Sequence, residues 1–235
     1  DSSELGIRPS TPPRSTKTPK SVMLVTAPLT REPDWSLWNS SVRLALDHKK
    51  QWLLFVASDV LIPDIDLMTS CMRTVLQEPS VGIYTPSLHP DSRLSYEACF
   101  NRGTGGLREC FMTEGFFFLA RTDILARLYP VFPEKNRYGF GIDIMASFHS
   151  YRTGRRVLVD DRVMIYHPPA IHSTPMDEAV EEQTCFMGSK GIRFRDWANN
   201  RIRHEGKLRE GPWKLARACF MPVLRLMSVF SNPGR

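Results

Sequence analysis

Short unbroken apolar runs alternate along the chain with stretches whose apolar residues recur every three or four positions. "SVMLVTAP" is apolar, β-branched and closed by Pro28, which predicts a buried strand. "WNSSVRLALDHKK" carries Val42, Leu44, Ala45 and Leu46 in a helix-compatible pattern. "QWLLFVASD" is a near-continuous apolar run of strand length that stops at Asp59. In "DIDLMTSCMRTVLQEP", Ile65, Met68, Met72, Val75 and Leu76 have helical spacing and Asp64 is placed to cap the helix. "VGIYTPSL" predicts a further strand.

The second half repeats the alternation. Residues 116–119 are strand-like, and "TDILARLYP" is a short helix opened by Thr122 or Asp123. "RYGFGID" leads into an amphipathic helix, "IMASFHSYRTG". "RRVLVDD" and "RVMIYHPP" read as two strands, the second ending at His167 before a proline pair that cannot continue a ladder. "DEAVEEQTCFMGSKG" reads as a helix, apolar at Ala179, Val180 and Phe186. Apolar strands alternating with helices predict an α/β layered domain around a mixed, largely parallel sheet. Residues 1–20, rich in Pro, Ser, Thr and basic side chains, predict a flexible linker. The layered domain is expected over 21–172 and a basic, helical C-terminal extension over 173–235.

Composition agrees with a globular protein: of 235 residues, 42% are apolar and 24% charged. A net charge of +6 points to an anionic partner such as phosphate, a lipid surface or nucleic acid. No run reaches the roughly 20 apolar residues that span a bilayer, and no signal-peptide pattern is present. A cytoplasmic location, peripheral to a membrane, is therefore expected. The chain begins at Asp1, so a Golgi-lumenal location is the alternative if an anchor precedes it. The basic stretch from Lys190, with Trp197, Trp213 and "WKLARACFMPVLRLMSVF", could lie in a membrane interface or pack its apolar side on the domain.

Five cysteines without a C-x-x-C pair give no zinc or disulfide framework. Cys99 and Cys110 flank the glycine-rich "NRGTGGLRE" and would either pair in an oxidising compartment or remain separate thiols. That glycine-rich segment lacks the P-loop pattern, which leaves a mobile surface loop or a lid. Asn39 begins an N-S-S triplet, the formal pattern of a glycosylation acceptor.

Ligands of parallel α/β sheets sit beyond the carboxyl ends of the strands. Asp59 and His167 each end a predicted strand, and Asp143 opens a predicted helix. A carboxylate and an imidazole make a partial shell for Mn²⁺ or Mg²⁺, while a separate carboxylate can act as general base. Each residue also has a plain structural reading: a turn residue, a loop histidine, a helix cap. Position 146 is Ala, so Asp143 lacks the partner of a capping box.

The ordered segments over about 36–168 resemble GT-A fold (Rossmann-like) glycosyltransferases, particularly the inverting family two. "WNSSVRLALDHKKQWLLFVASD" is similar to that family's helix and strand leading to a D-x-D-type motif. "TEGFFFLARTDILARLYPVF" is similar to its acceptor-side segment, and "YGFGIDIMASFHSYRTGRRVLVDDRVMIYHP" to its closing part. "GFGID" also resembles the "GWGLD" motif of other GT-A-like proteins. The resemblance implies that Asp59 is the last acid of the D-x-D motif, which binds metal and donor diphosphate. It further implies that Asp143 is the catalytic base and that His167 completes the metal shell. Glu114 and Gly115 would line the acceptor pocket, and Tyr138 and Phe140 could stack on a sugar. A nucleotide-sugar donor and a glycan or lipid-linked acceptor are implied as partners. Two departures stand out. Ala57 and Ser58 occupy positions where other acids commonly sit, and the family's early nucleotide-binding portion is shortened or missing. Those departures suggest a non-catalytic glycosyltransferase-like subunit as the rival reading. A basic nucleic-acid-binding protein is the weaker rival, because no nucleic-acid motif or stacking set of aromatics appears.

Overall fold

The computed structural model describes residues 22–27, 35–92, 96–131, 136–168, 176–193 and 196–197. The expected linker at 1–20 and the basic stretch beyond Trp197 lie outside the described residues. Within them the chain is α/β. Six strands, β1 (Val22–Ala27), β2 (Trp52–Ala57), β3 (Val81–Leu88), β4 (Leu107–Glu109), β5 (Phe117–Arg121) and β6 (Arg156–Ile165), form one sheet. Its order is β1-β2-β5-β3-β6-β4. β1 runs parallel to β2 and β3 parallel to β6, whereas β5 and β4 run antiparallel to their neighbours. The sheet is mixed, as expected.

Helices α1 (Trp35–Asp47), α3 (Thr122–Leu125), α4 (Ile142–Arg152) and α5 (Met176–Ser189) supply buried residues to one face. α2 (Ile65–Leu76) covers the other. Alternation along β2 shows how both faces are used. Leu53 and Phe55 join the core that contains Trp38, Val42, Met145 and Phe186. Trp52 and Leu54 join the core with Met68, Cys71 and Val75. Burial on both faces explains why the strands read as continuous apolar runs rather than alternating ones.

Asp64 caps α2 as expected, accepting the Leu67 N–H at 2.8 Å. α3 differs from expectation: Arg121 holds the cap position without a side-chain bond, and Thr122 is already the first helical residue. Asn39 is tied into the core layer. Its Nδ2 donates to the Val131 carbonyl at 2.8 Å and its Oδ1 accepts the Val131 N–H at 2.9 Å. Glycosylation of that nitrogen would break the pair.

The two strands expected at 155–168 are one strand, β6, with a bulge. Pro86 of β3 pairs with Asp160, and the next β3 residue, Ser87, pairs with Met164, so Asp161–Val163 loop out. Proline has no N–H to give the ladder, and the interruption falls beside it. Two acids are buried where the bulge begins. Asp160, fully buried, accepts from Tyr84 Oη at 3.1 Å and from Arg162 at 2.7 and 2.8 Å. Asp161 accepts from Arg108 at 2.8 and 2.9 Å and from Thr104 Oγ1 at 2.8 Å. Burial alone would raise both carboxyls, yet the paired arginines and hydrogen bonds hold each below its ordinary value. The glycine-rich segment is thereby fastened and contributes β4, a strand that its glycines concealed.

Gly82 sets how closely α3 and α4 approach the sheet. A Cβ there would lie 2.0 Å from Ser150 Oγ and 2.8 Å from Ile124 Cδ1. Gly82→Ala is expected to lower stability by about 1–3 kcal/mol through overpacking, measured by urea unfolding. An unchanged midpoint would show that Ser150 and Ile124 yield freely.

Candidate functional site

Three carriers of polar groups end at one edge of the sheet. β2 leads directly to Ser58 and Asp59. The chain after Asp59 is then joined to the chain after β6 by a two-residue bridge: Leu61 N–H donates to Tyr166 O at 2.8 Å, and Tyr166 N–H returns to Leu61 O at 3.0 Å. That bridge puts His167 beside Asp59, with Nε2 3.3 Å from Oδ2. The imidazole is buried and the carboxylate keeps about a quarter of its surface open. His167 is fixed from two further sides. Its backbone N–H donates to Ser92 Oγ at 3.2 Å, and its ring stacks on Phe116 at 3.7 Å with 12° between planes.

Phe116 belongs to the segment that enters β5, and its carbonyl accepts the Ala57 N–H at 2.8 Å. Its preceding residue, Gly115, is exposed and donates its N–H to the carboxylate of Asp143. A methyl group on Gly115 would meet Asp143 Oδ2 at 3.6 Å, an ordinary contact. The glycine therefore leaves one side of the carboxylate uncovered without being required by packing. Asp143 lies in the first turn of α4, whose cap is Gly141 at φ +81°, and its Oδ1 accepts the Ile144 N–H at 2.8 Å. Desolvation pushes its pKa up to about 6, partly countered by the backbone N–H groups of Ile144, Asp143 and Gly115. The side chain is only partly exposed, and no cation is among the causes of its shift.

The "RYGFGID" turn is clasped to α5. Arg137 Nε and N–H both donate to Glu182 at 2.6 Å, and Arg137 Nη2 reaches Glu178 at 3.2 Å. Tyr138 Oη donates to the same Glu178 oxygen at 2.8 Å. Asn136 closes the turn from within by donating to the Phe140 carbonyl at 2.8 Å. Gly141 has no room for a side chain: a Cβ would sit 2.6 Å from Gln183 Cγ.

The structure thus brings Asp59 and His167 into contact, and joins Asp143 to Gly115, one residue from the ring under His167. Tyr138 is directed to α5 through its hydroxyl, and Phe140 lies in the same turn, partly buried. Glu114 is held by the Tyr96 N–H, which its Oε1 accepts. Sequence reasoning missed Phe116 and Ser92, which orient His167, and Glu178, Glu182 and Gln183, which hold the acid-bearing turn. Phe116 was hidden in a run of three phenylalanines, and Ser92 carried no signal. Among the described residues, no three His, Cys, Asp or Glu side chains converge as a metal-binding group. The Asp59–His167 pair is a donor set of two.

No protein-family model matches the sequence, and no curated protein matches it. Solved structures with a partly similar backbone include GalNAc-T7 bound to UDP, GalNAc and Mn²⁺, at TM-score 0.45 and 11% identity over 76% of this chain and 45% of that one. A197 from STIV aligns at TM-score 0.39 and 11% identity, over 63% of this chain and 85% of that one. Mannose-1-phosphate geranyltransferase from Thermus thermophilus aligns at TM-score 0.32 and 14% identity, over 59% of this chain and 52% of that one. The chain spans about half the length of the first and the last of these. Residue roles do not carry across likenesses at this level.

A raised acid has a cost that can be measured. In the unfolded chain Asp143 titrates near its ordinary value, about 3.9; folded, it titrates near 6. The folded state binds the proton more tightly, so this contribution to stability is full below the unfolded value and is lost as pH rises through about 6. A pKa difference of about 2 corresponds to at most about 3 kcal/mol, less what solvent screening of the partly exposed carboxylate removes. Asp143→Asn is expected to melt above the wild type at pH 8 and to lose that advantage at pH 4. An equal difference at both pH values would mean that the carboxyl does not titrate high.

Proposed function

We propose that this chain is a nucleotide-sugar-dependent glycosyltransferase of the GT-A kind, acting by direct, inverting displacement at an acceptor hydroxyl. The observation that carries the reading is the pairing of Asp59 with His167 at 3.3 Å, on a ring whose neighbour, Gly115, contacts the raised carboxylate of Asp143. The order of segments in the sequence supports it.

In this reading Asp143 takes the proton from an acceptor hydroxyl. The acceptor oxygen bonds to the anomeric carbon as the bond from that carbon to the diphosphate oxygen breaks. A base that titrates near 6 is charged at neutral pH and still basic enough to accept a proton in the transition state. Gly115, lacking a side chain, leaves the approach to Asp143 open, and Phe116 keeps the His167 ring in place. The Asp59 and His167 donors fit adjacent positions around a small divalent cation, since ligands about 2.0–2.2 Å from a metal stand about 3 Å apart at right angles. Held there, Mn²⁺ or Mg²⁺ would neutralise charge on the departing diphosphate. A donor diphosphate or a lipid-linked acceptor also suits the net positive chain.

A second reading, a non-catalytic sugar-nucleotide-binding subunit, is favoured by the same donor set, because only two ligating side chains meet among the described residues. Calorimetric titration of UDP, GDP and dTDP with and without Mn²⁺ separates the alternatives. The transferase reading expects metal-dependent binding of one nucleotide, lost in Asp59→Ala. It also expects turnover whose kcat/KM climbs tenfold per pH unit below about 6 and levels above it. Binding without turnover would favour the subunit, and no binding would remove the donor site altogether. Gly115→Val should raise the acceptor KM with little change in melting temperature; an unaffected KM would place the acceptor elsewhere.

A further inference from the structure

Away from the Asp59–His167 pair and the Asp143 carboxylate, two buried thiols meet at the base of the glycine-rich segment. Cys99 ends a short 3₁₀ turn, Glu97–Cys99, and Cys110 follows β4. They are 1% and 2% exposed and both are thiols. Both donate to one acceptor, the Met112 carbonyl, with Sγ–O distances of 3.7 Å for Cys99 and 2.7 Å for Cys110. Cys110 also lies near enough for Cys99 to hydrogen-bond it in place of the carbonyl. The backbones are locked side by side by a separate contact: Arg108, two residues before Cys110, donates to the carbonyls on either side of Cys99. Nη1 reaches Ala98 O at 3.0 Å and Nη2 reaches Phe100 O at 2.9 Å.

We infer that Cys99 and Cys110 are a disulfide-forming pair, and that in an oxidising environment this bond closes the glycine-rich segment into a covalent ring. Two thiols facing one carbonyl, on backbones clamped by a third residue, are held as neighbours, the first condition for such a bond. With glutathione disulfide as oxidant, one thiolate displaces a glutathione thiol and forms a mixed disulfide. The second thiolate then displaces the other glutathione and closes the ring, so two protein thiols are oxidised and one glutathione disulfide is reduced to two thiols. Hydrogen bonding to Cys110 and burial raise the Cys99 thiol well above its ordinary value, which slows attack in the folded state. With both thiols almost wholly buried, the oxidant reaches them while the chain folds rather than afterwards. Once made, it holds the 3₁₀ turn to the segment that continues through Met112 and Glu114 to Gly115 and Phe116. The inference concerns this covalent link alone and stands whether or not the chain transfers sugars.

Refolding the full chain in a glutathione redox buffer, followed by thiol counting in denaturant and a tryptic map without reduction, tests it. Of five cysteines, three should remain titratable, and the peptide 94–102 should be joined to 109–121. Reduction should lower the melting temperature by about 5–10 °C, the effect of opening a ring of about a dozen residues in a chain this size. Cys99→Ser and Cys110→Ser should each abolish the joined peptide and the response to reduction. Should either variant fail to fold, the wild-type map decides by itself. Five titratable thiols, Cys99 or Cys110 joined to another cysteine, or glutathione caps without a joined pair would each overturn the assignment.

Discussion

The arrangement rests on one strand running against its neighbours. β5 lies between β2 and β3 and is antiparallel to both, so its first residues stand where theirs end. At that edge a single short segment serves two partners. The backbone of Gly115 contacts the Asp143 carboxylate, and the ring of Phe116 supports His167. Were β5 parallel, its polar start would lie at the opposite edge, and neither contact would form. The antiparallel insertion thus turns a layer of apolar strands into a place where three ionisable groups share one edge.

The cost of that gathering is distributed unevenly. Asp59 keeps contact with water and with an imidazole, while Asp160 and Asp161 are matched by guanidinium groups and hydroxyls. Asp143 differs from these: it is desolvated, with only backbone N–H groups offsetting the upward shift. A carboxyl in that state is poorly placed to stabilise a fold and well placed to exchange a proton, which separates it physically from the buried acids of β6.

The layers were legible in the sequence because apolar runs of strand length and residues at helical spacing report burial directly. The residues were less informative where backbone chemistry intervenes. β6 read as two strands because its bulge falls opposite Pro86 of a partner strand, a cause seventy-odd residues away in sequence that no local pattern carries. β4 was hidden because Gly103, Gly105 and Gly106 dominate its approach, whereas the Arg108–Asp161 pair that fastens it is visible only in space. Asp59 and His167 could be picked out as endings of strands, and Asp143 as the opening of a helix. The contacts that give them shape, from Ser92, Phe116 and Gly115, depend on register between distant strands.

The clasp on the acid-bearing turn ties the start of α4 to a helix that follows the sheet's last strand in the chain. Gln183 fills the space that a side chain at Gly141 would take, and Glu178 and Glu182 receive Arg137 and Tyr138. Transplanting "RYGFGID" and its helix into another scaffold would therefore move the acid without its support. For a protein engineer the transferable unit is the turn together with α5, two segments that must be inherited and changed together even though only one of them carries the acid.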